Sequence, residues 1–131
     1  MEVALENIRQ AEGITEDILP LKELMERRFN LSRQVSGGKQ LVFTMNKIMR
    51  ICLIASLGLS EKRDIDALKN IQLSKTSMRI MPSFFTKDNN KSLFSALLKL
   101  RYKDCNVDWQ DSSLVSRIVA KEMYRGMKYL M

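Results

Sequence analysis

The stretch LVFTMNKIMRICL, residues 41–53, decides the fold. Leu41, Met45, Ile48, Met49, Cys52 and Leu53 recur at steps of three and four, while Lys39 just before it, Lys47 and Arg50 fall on other faces. Only a helix with one face in a core puts those apolar residues side by side. Nowhere in the chain does an Asn-Gly or Asp-Gly pair sit between alternating apolar residues, so no hairpin is expected. The chain reads as all-α, a compact bundle of about six or seven helices forming one domain over residues 1–131.

Upstream, residues 3–11 read as a short helix, with residues 1–14 a loosely attached acidic N-terminal helix. Thr15 is placed to cap the next helix, and Pro20 sits early in it, where a missing N–H is tolerated. Leu21, Leu24, Met25 and Phe29 give it one apolar face, and Gly37 and Gly38 end it. Downstream, Ser60 is a good N-cap for a helix over EKRDIDALKNIQL (61–73), whose inward stripe is Ile65, Leu68 and Ile71. Ser74 caps a shorter helix that Pro82 interrupts. Asn90 then caps a helix burying Leu93, Phe94, Leu97, Leu98 and Leu100. After the polar loop KDCNVDWQDSS (103–113), Asp111 or Ser112 caps a final helix with Leu114, Val115, Ile118, Val119, Met123, Met127 and Leu130 facing inward.

With 131 residues, 45% apolar and 28% charged, the chain has material for one real core. Its longest apolar run, ICLIASLGL (51–59), is about half of what a membrane helix needs, so no membrane partner is expected. The N-terminus lacks the basic region, apolar segment and small-residue cleavage site of a secretory signal. Cys52 and Cys105 fall in no ligand spacing, which suits free thiols in a reducing, nuclear or cytoplasmic compartment.

The absence of histidine excludes His-dependent triads, His-containing zinc sites and the commonest general base. A phosphate loop is excluded as well, because VSGGKQ (35–40) follows Arg33 where the first glycine belongs and has Gln40 where a hydroxyl must reach magnesium. These glycines are punctuation, although Lys39 stands at a helix N-terminus where an anion is favoured. Asp104, Asp108 and Asp111 lack the alternating oxygens and central glycine of a calcium loop and read as turn and cap residues. No catalytic, metal or cofactor motif is legible, and the chain is expected not to be an enzyme.

Residues 1–26 hold seven acids (Glu2, Glu6, Glu12, Glu16, Asp17, Glu23, Glu26) against Arg9 and Lys22, a balance of −5. The net charge of +7 therefore leaves +12 on the remainder, a basic body suited to an acidic partner and one that the N-terminal segment can fold back to screen. In the last helix Arg117, Lys121, Arg125 and Lys128 are spaced by four, four and three, which makes one basic stripe. It is either a solvated face or a surface for phosphates. Lys99, Arg101 and Lys103 close the preceding helix, where positive charge suits the macrodipole. Trp109, the single tryptophan, sits in a polar loop as a lid over the core or as an exposed anchor. Phe84 and Phe85 beside Pro82 offer an apolar patch at a loop tip. Nine methionines either fill the core or line an adaptable groove.

From residue 64 on, DIDALKNIQLS (64–74), NKSLFSALLKLRYKD (90–104) and SSLVSRIVAKEMYRGMKYL (112–130) resemble the helical domain at the N-terminus of elongation factor TFIIS and its relative, the integrase-binding domain of the LEDGF coactivator. The shared pattern is an Ala-Leu helix, a helix closing on Leu-Arg with a basic tail, and a final helix with Ala-Lys. Met127 and Lys128 stand where the family has tryptophan and lysine. The resemblance implies a bundle whose loops grip short disordered peptides of transcription or chromatin proteins, with Tyr102 near the family's loop aromatic. The expected function is thus a non-enzymatic, nuclear protein interaction module with Phe84, Phe85, Tyr102 and Trp109 as partner contacts. The alternative is a nucleic-acid-binding domain, cellular or viral, using Lys39, Arg117, Lys121, Arg125 and Lys128. Exposed Met and Phe leave a homodimer open.

Overall fold

Amphipathic periodicity becomes helix in four places, in a computed structural model that describes residues 3–5, 8–9, 14–36, 44–73 and 90–131. The elements are α1 (Ile14–Ser36), α2 (Met45–Leu57), a 3₁₀ turn (Asp66–Asn70), α3 (Asn90–Arg101) and α4 (Ser112–Leu130). Helix α1 begins one residue ahead of Thr15, the expected cap, and carries Glu16 and Asp17 in its first turn, where they face the positive end of the dipole. Thr44 caps α2, its hydroxyl oxygen accepting from Lys47 N at 3.2 Å. Asp111 caps α4 as expected, one carboxylate oxygen accepting from Ser113 N at 3.1 Å and Leu114 N at 3.3 Å. No helix among the described residues is long and apolar enough to cross a membrane.

Six or seven helices are not found: the described residues hold four and one 3₁₀ turn. Two segments account for most of the difference. Residues 61–65 form no helix because Arg63 turns inward and its guanidinium draws the carbonyls of Ser56, Leu59 and Glu61 around itself. Asp64 adds an Asx turn, accepting from Asp66 N at 3.0 Å. Side-chain bonds to local backbone compete with the helical ladder, and here they win. The N-terminal segment is likewise not helical at residues 3–5 and 8–9. Ala4 N donates to Trp109 O at 2.8 Å and Arg9 N to Ser116 Oγ at 2.9 Å, so its backbone pairs across the fold instead of with itself. Val3, Leu5 and Ile8 are buried, which makes this segment a strap over the loop and first turn before α4's centre. The shorter helix expected from Ser74, and Pro82 within it, lie outside the described residues.

Helix α4 is the axis of the core. It packs mainly on α2, and α1 lies against both. The two axes meet at Gly126, where a Cβ would stand 1.7 Å from the Cys52 carbonyl oxygen, so a side chain here would force the helices apart. Ile48, Cys52 and Leu53 of α2 and Val115, Ile118 and Val119 of α4 are fully buried. Ile14, Ile18 and Leu21 close one side, and Phe94 and Leu98 of α3 the other. Four residues assigned to inward faces point outward: Phe29, Leu93, Leu100 and Leu130 are exposed. Each lies near an end or an outer edge of its helix, where the apolar stripe runs past its neighbours.

Candidate functional site

Two polar constellations lie side by side along α4, one inside the core and one at the surface. The first is internal. Glu122 lies on the apolar stripe of α4, four residues after Ile118 and four before Gly126, and is buried beside Arg63, neither side chain having measurable exposure. Arg63 Nε donates to Glu122 Oε1 at 2.8 Å and Nη2 to Oε2 at 3.2 Å. Ser56 Oγ donates to Glu122 Oε2 at 2.5 Å and the Tyr102 hydroxyl to Oε1 at 2.7 Å. The rest of the guanidinium is taken by carbonyls, Ser56 O at 2.8 Å and Leu59 O at 3.1 Å from Nη2, and Glu61 O from Nη1. A buried ion pair survives only when its remaining hydrogen-bonding capacity is met this fully.

Burial, reinforced by the neighbouring Glu122 charge, pushes the Tyr102 phenol well above its ordinary range. Burial likewise pushes the Cys52 thiol up to about 11. Neither group is a ready nucleophile or acid at neutral pH. This cluster was missed at the sequence level, although a signal was there: Ser56 and Glu122 each interrupt an apolar row, and a carboxylate in such a row requires a cation.

The second constellation is open. The stripe expected in α4 is divided by the fold. Arg117 is half-buried and its Nε donates to Ile71 O at 3.3 Å, which ties it to the 3₁₀ turn region. Lys121, Arg125 and Lys128 instead reach one cleft of about 450 Å³, walled by Leu59 and Glu61 on one side and by these residues with Tyr124 and Tyr129 on the other. The ammonium groups of Lys121 and Lys128 stand 6.0 and 5.0 Å from the centre of the Tyr124 ring. Arg125 Nη1 contacts Glu61 Oε2 at 3.1 Å, while its buried Nε has no hydrogen-bond partner among the described residues. Tyr129 is 63% exposed.

The aromatic residues expected to grip a partner are placed otherwise. Tyr102 is buried at the centre of the ionic cluster and presents no surface. Trp109 takes the lid position: partly buried against the core, it meets the Tyr102 ring edge-on at 6.2 Å and 85°, and its carbonyl holds the N-terminal strap. Phe84, Phe85 and Lys39 lie outside the described residues. Asp111 is a cap and Asp108 accepts from Gln110 N at 3.0 Å in a turn. Among the described residues no group of three or more potential ligands is arranged to hold a metal ion. No family model, curated protein or solved structure matches the chain.

Proposed function

We propose that the protein is a non-enzymatic helical module that binds nucleic acid through the outer face of α4. The observation that carries this reading is the convergence of Lys121, Arg125 and Lys128 with Tyr124 and Tyr129 on one cleft. Cations beside tyrosine rings are the combination that meets phosphates and bases together. The +12 balance outside residues 1–26 supports it, since a field of that sign draws polyanions to the surface. A non-enzymatic role is supported by the lack of histidine and by the internal carboxylate, phenol and thiol being sealed from solvent.

A protein interaction module of the transcription or chromatin type is the second reading. It is favoured by an apolar row on α3, where Leu93, Ala96 and Leu100 are exposed at helical spacing, and by the resemblance to TFIIS-type domains. Either role suits a nuclear or cytoplasmic protein with free thiols at Cys52 and Cys105.

Fluorescence anisotropy of labelled RNA and DNA oligomers tests the first reading. Binding in the micromolar range that weakens steeply with salt is expected, as for sequence-independent phosphate contacts. The double charge reversal Lys121→Glu with Lys128→Glu is expected to abolish it; unchanged affinity in that variant removes α4 as the site.

A further inference from the structure

We infer that the α4 cleft takes a single strand of nucleic acid, and that Glu61 is an internal competitor for the arginine that grips its phosphate. The inference rests on the nucleic-acid reading above and adds to it the form of the ligand and a residue that opposes binding.

Among the described residues lining the cleft Glu61 is the sole acid, facing Lys121, Arg125 and Lys128. Its backbone is fixed from below, because its carbonyl accepts from the buried Arg63. Its side chain is 67% exposed and makes a contact to one nitrogen of Arg125. A guanidinium is built for paired bonds to an oxyanion, and here only a single bond to Glu61 is made. With its carboxylate this open to water the pair is weak, although the Arg125 side chain is only 19% exposed. A backbone phosphodiester matches a carboxylate in charge and in free oxygens, but successive phosphates of one strand meet Lys121, Arg125 and Lys128 together, so the strand displaces Glu61 from Arg125. The carboxylate then remains beside the phosphate and repels it, which sets affinity below what the three cations alone would give.

The rings decide the form of the ligand. Tyr129 is open to solvent at the rim of the cleft. A ring at the edge of a cationic cleft stacks on an unpaired base, whereas a duplex keeps its bases stacked on each other and offers only backbone to this surface. Tyr124 is already flanked by two ammonium groups, so Tyr129 is the platform.

The test is anisotropy titration of the full chain with a labelled mixed-sequence single strand of RNA and a duplex of the same length at fixed salt. Glu61→Gln keeps the shape and the carbonyl contact while removing the charge, and is expected to bind the single strand about three- to tenfold more tightly than the parent protein. Tyr129→Ala is expected to bind the single strand at least fivefold more weakly and the duplex unchanged. Equal or weaker binding by Glu61→Gln, with the Lys121→Glu and Lys128→Glu double variant still inactive, overturns the competitor while leaving the α4 surface in place. Equal losses of single strand and duplex in Tyr129→Ala overturn the single-strand assignment. No binding by the parent protein, or binding untouched by the lysine reversals, overturns the underlying reading and this inference with it.

Discussion

Helix α4 carries two arginine–glutamate encounters that share an ion-pair geometry and almost nothing else. Arg63 and Glu122 meet at 2.8 Å with both side chains out of water. Arg125 and Glu61 meet at 3.1 Å with the carboxylate side chain 67% exposed. In the first pair the surrounding protein supplies Ser56, Tyr102 and three carbonyls, so each charge is solvated by fixed dipoles. In the second, water does that work for the carboxylate, while the Arg125 side chain is 19% exposed and its buried Nε has no partner among the described residues. The same two chemical groups are therefore enclosed by protein dipoles in one pair and half open to water in the other, and the difference lies in who replaces the solvent.

The strongest way to break this comparison is to remove a partner from each pair in turn. Glu122→Ala leaves Arg63 buried and unpaired and is expected to cost about 3–5 kcal/mol in urea unfolding. The matching change Glu61→Ala is expected to cost less than about 1 kcal/mol. Comparable losses would mean that burial does not separate the two pairs. Gly126→Ala comes next: the new methyl collides with the Cys52 backbone, which cannot rotate away, and a loss of about 3 kcal/mol is expected in thermal or urea melts.

Tyr102→Phe sharpens the comparison through pH. Removing a hydroxyl bonded to a carboxylate should cost about 1.5–3 kcal/mol at neutral pH. The phenol is raised in the folded state, so its proton is held by folded and unfolded chains alike below about pH 10 and is lost only by the unfolded chain above it. Its contribution is thus fully present at neutral pH and falls by about 1.4 kcal/mol per pH unit above 10. The variant is expected to lose that dependence while keeping the part from Cys52, whose raised thiol withdraws stability as pH rises from near 9 to about 11. Stability curves of both proteins between pH 8 and 11, taken as a direct comparison, check it. Smallest of all is the expected effect on folding of Lys121→Glu with Lys128→Glu, within about 1 kcal/mol, since the lysines surround an aromatic ring at the surface.

Legibility in the sequence followed the same division. Periodicity located α2, α3 and α4, and the cap at Asp111, because these depend on local spacing. The stretch 61–73 has equally good helical spacing, yet Arg63 overrides it for a partner 59 residues away, a fact no local pattern contains. The helix expected over residues 3–11 failed at residues 3–5 and 8–9 for a related reason: the backbone bonds of Ala4 and Arg9 run to Trp109 and Ser116. Of the basic stripe, four residues were legible as one row, but only the fold separates Arg117, tied to Ile71 O, from the three that reach the cleft. Trp109 was legible as either lid or anchor; its edge contact with Tyr102 places it as a lid.

The strap also orders events in time. Arg9 and the Ser116 hydroxyl that receives its N–H are 107 residues apart in the chain, and the sockets for Val3, Leu5 and Ile8 do not exist until α4 is in place. Closing a loop of that length costs about 4 kcal/mol in chain entropy on the logarithmic scaling, before any contact is rewarded. On the ribosome the strap, made before α4, would therefore dock only after it. Until then the aliphatic side chains of Val3, Leu5 and Ile8 are exposed to water.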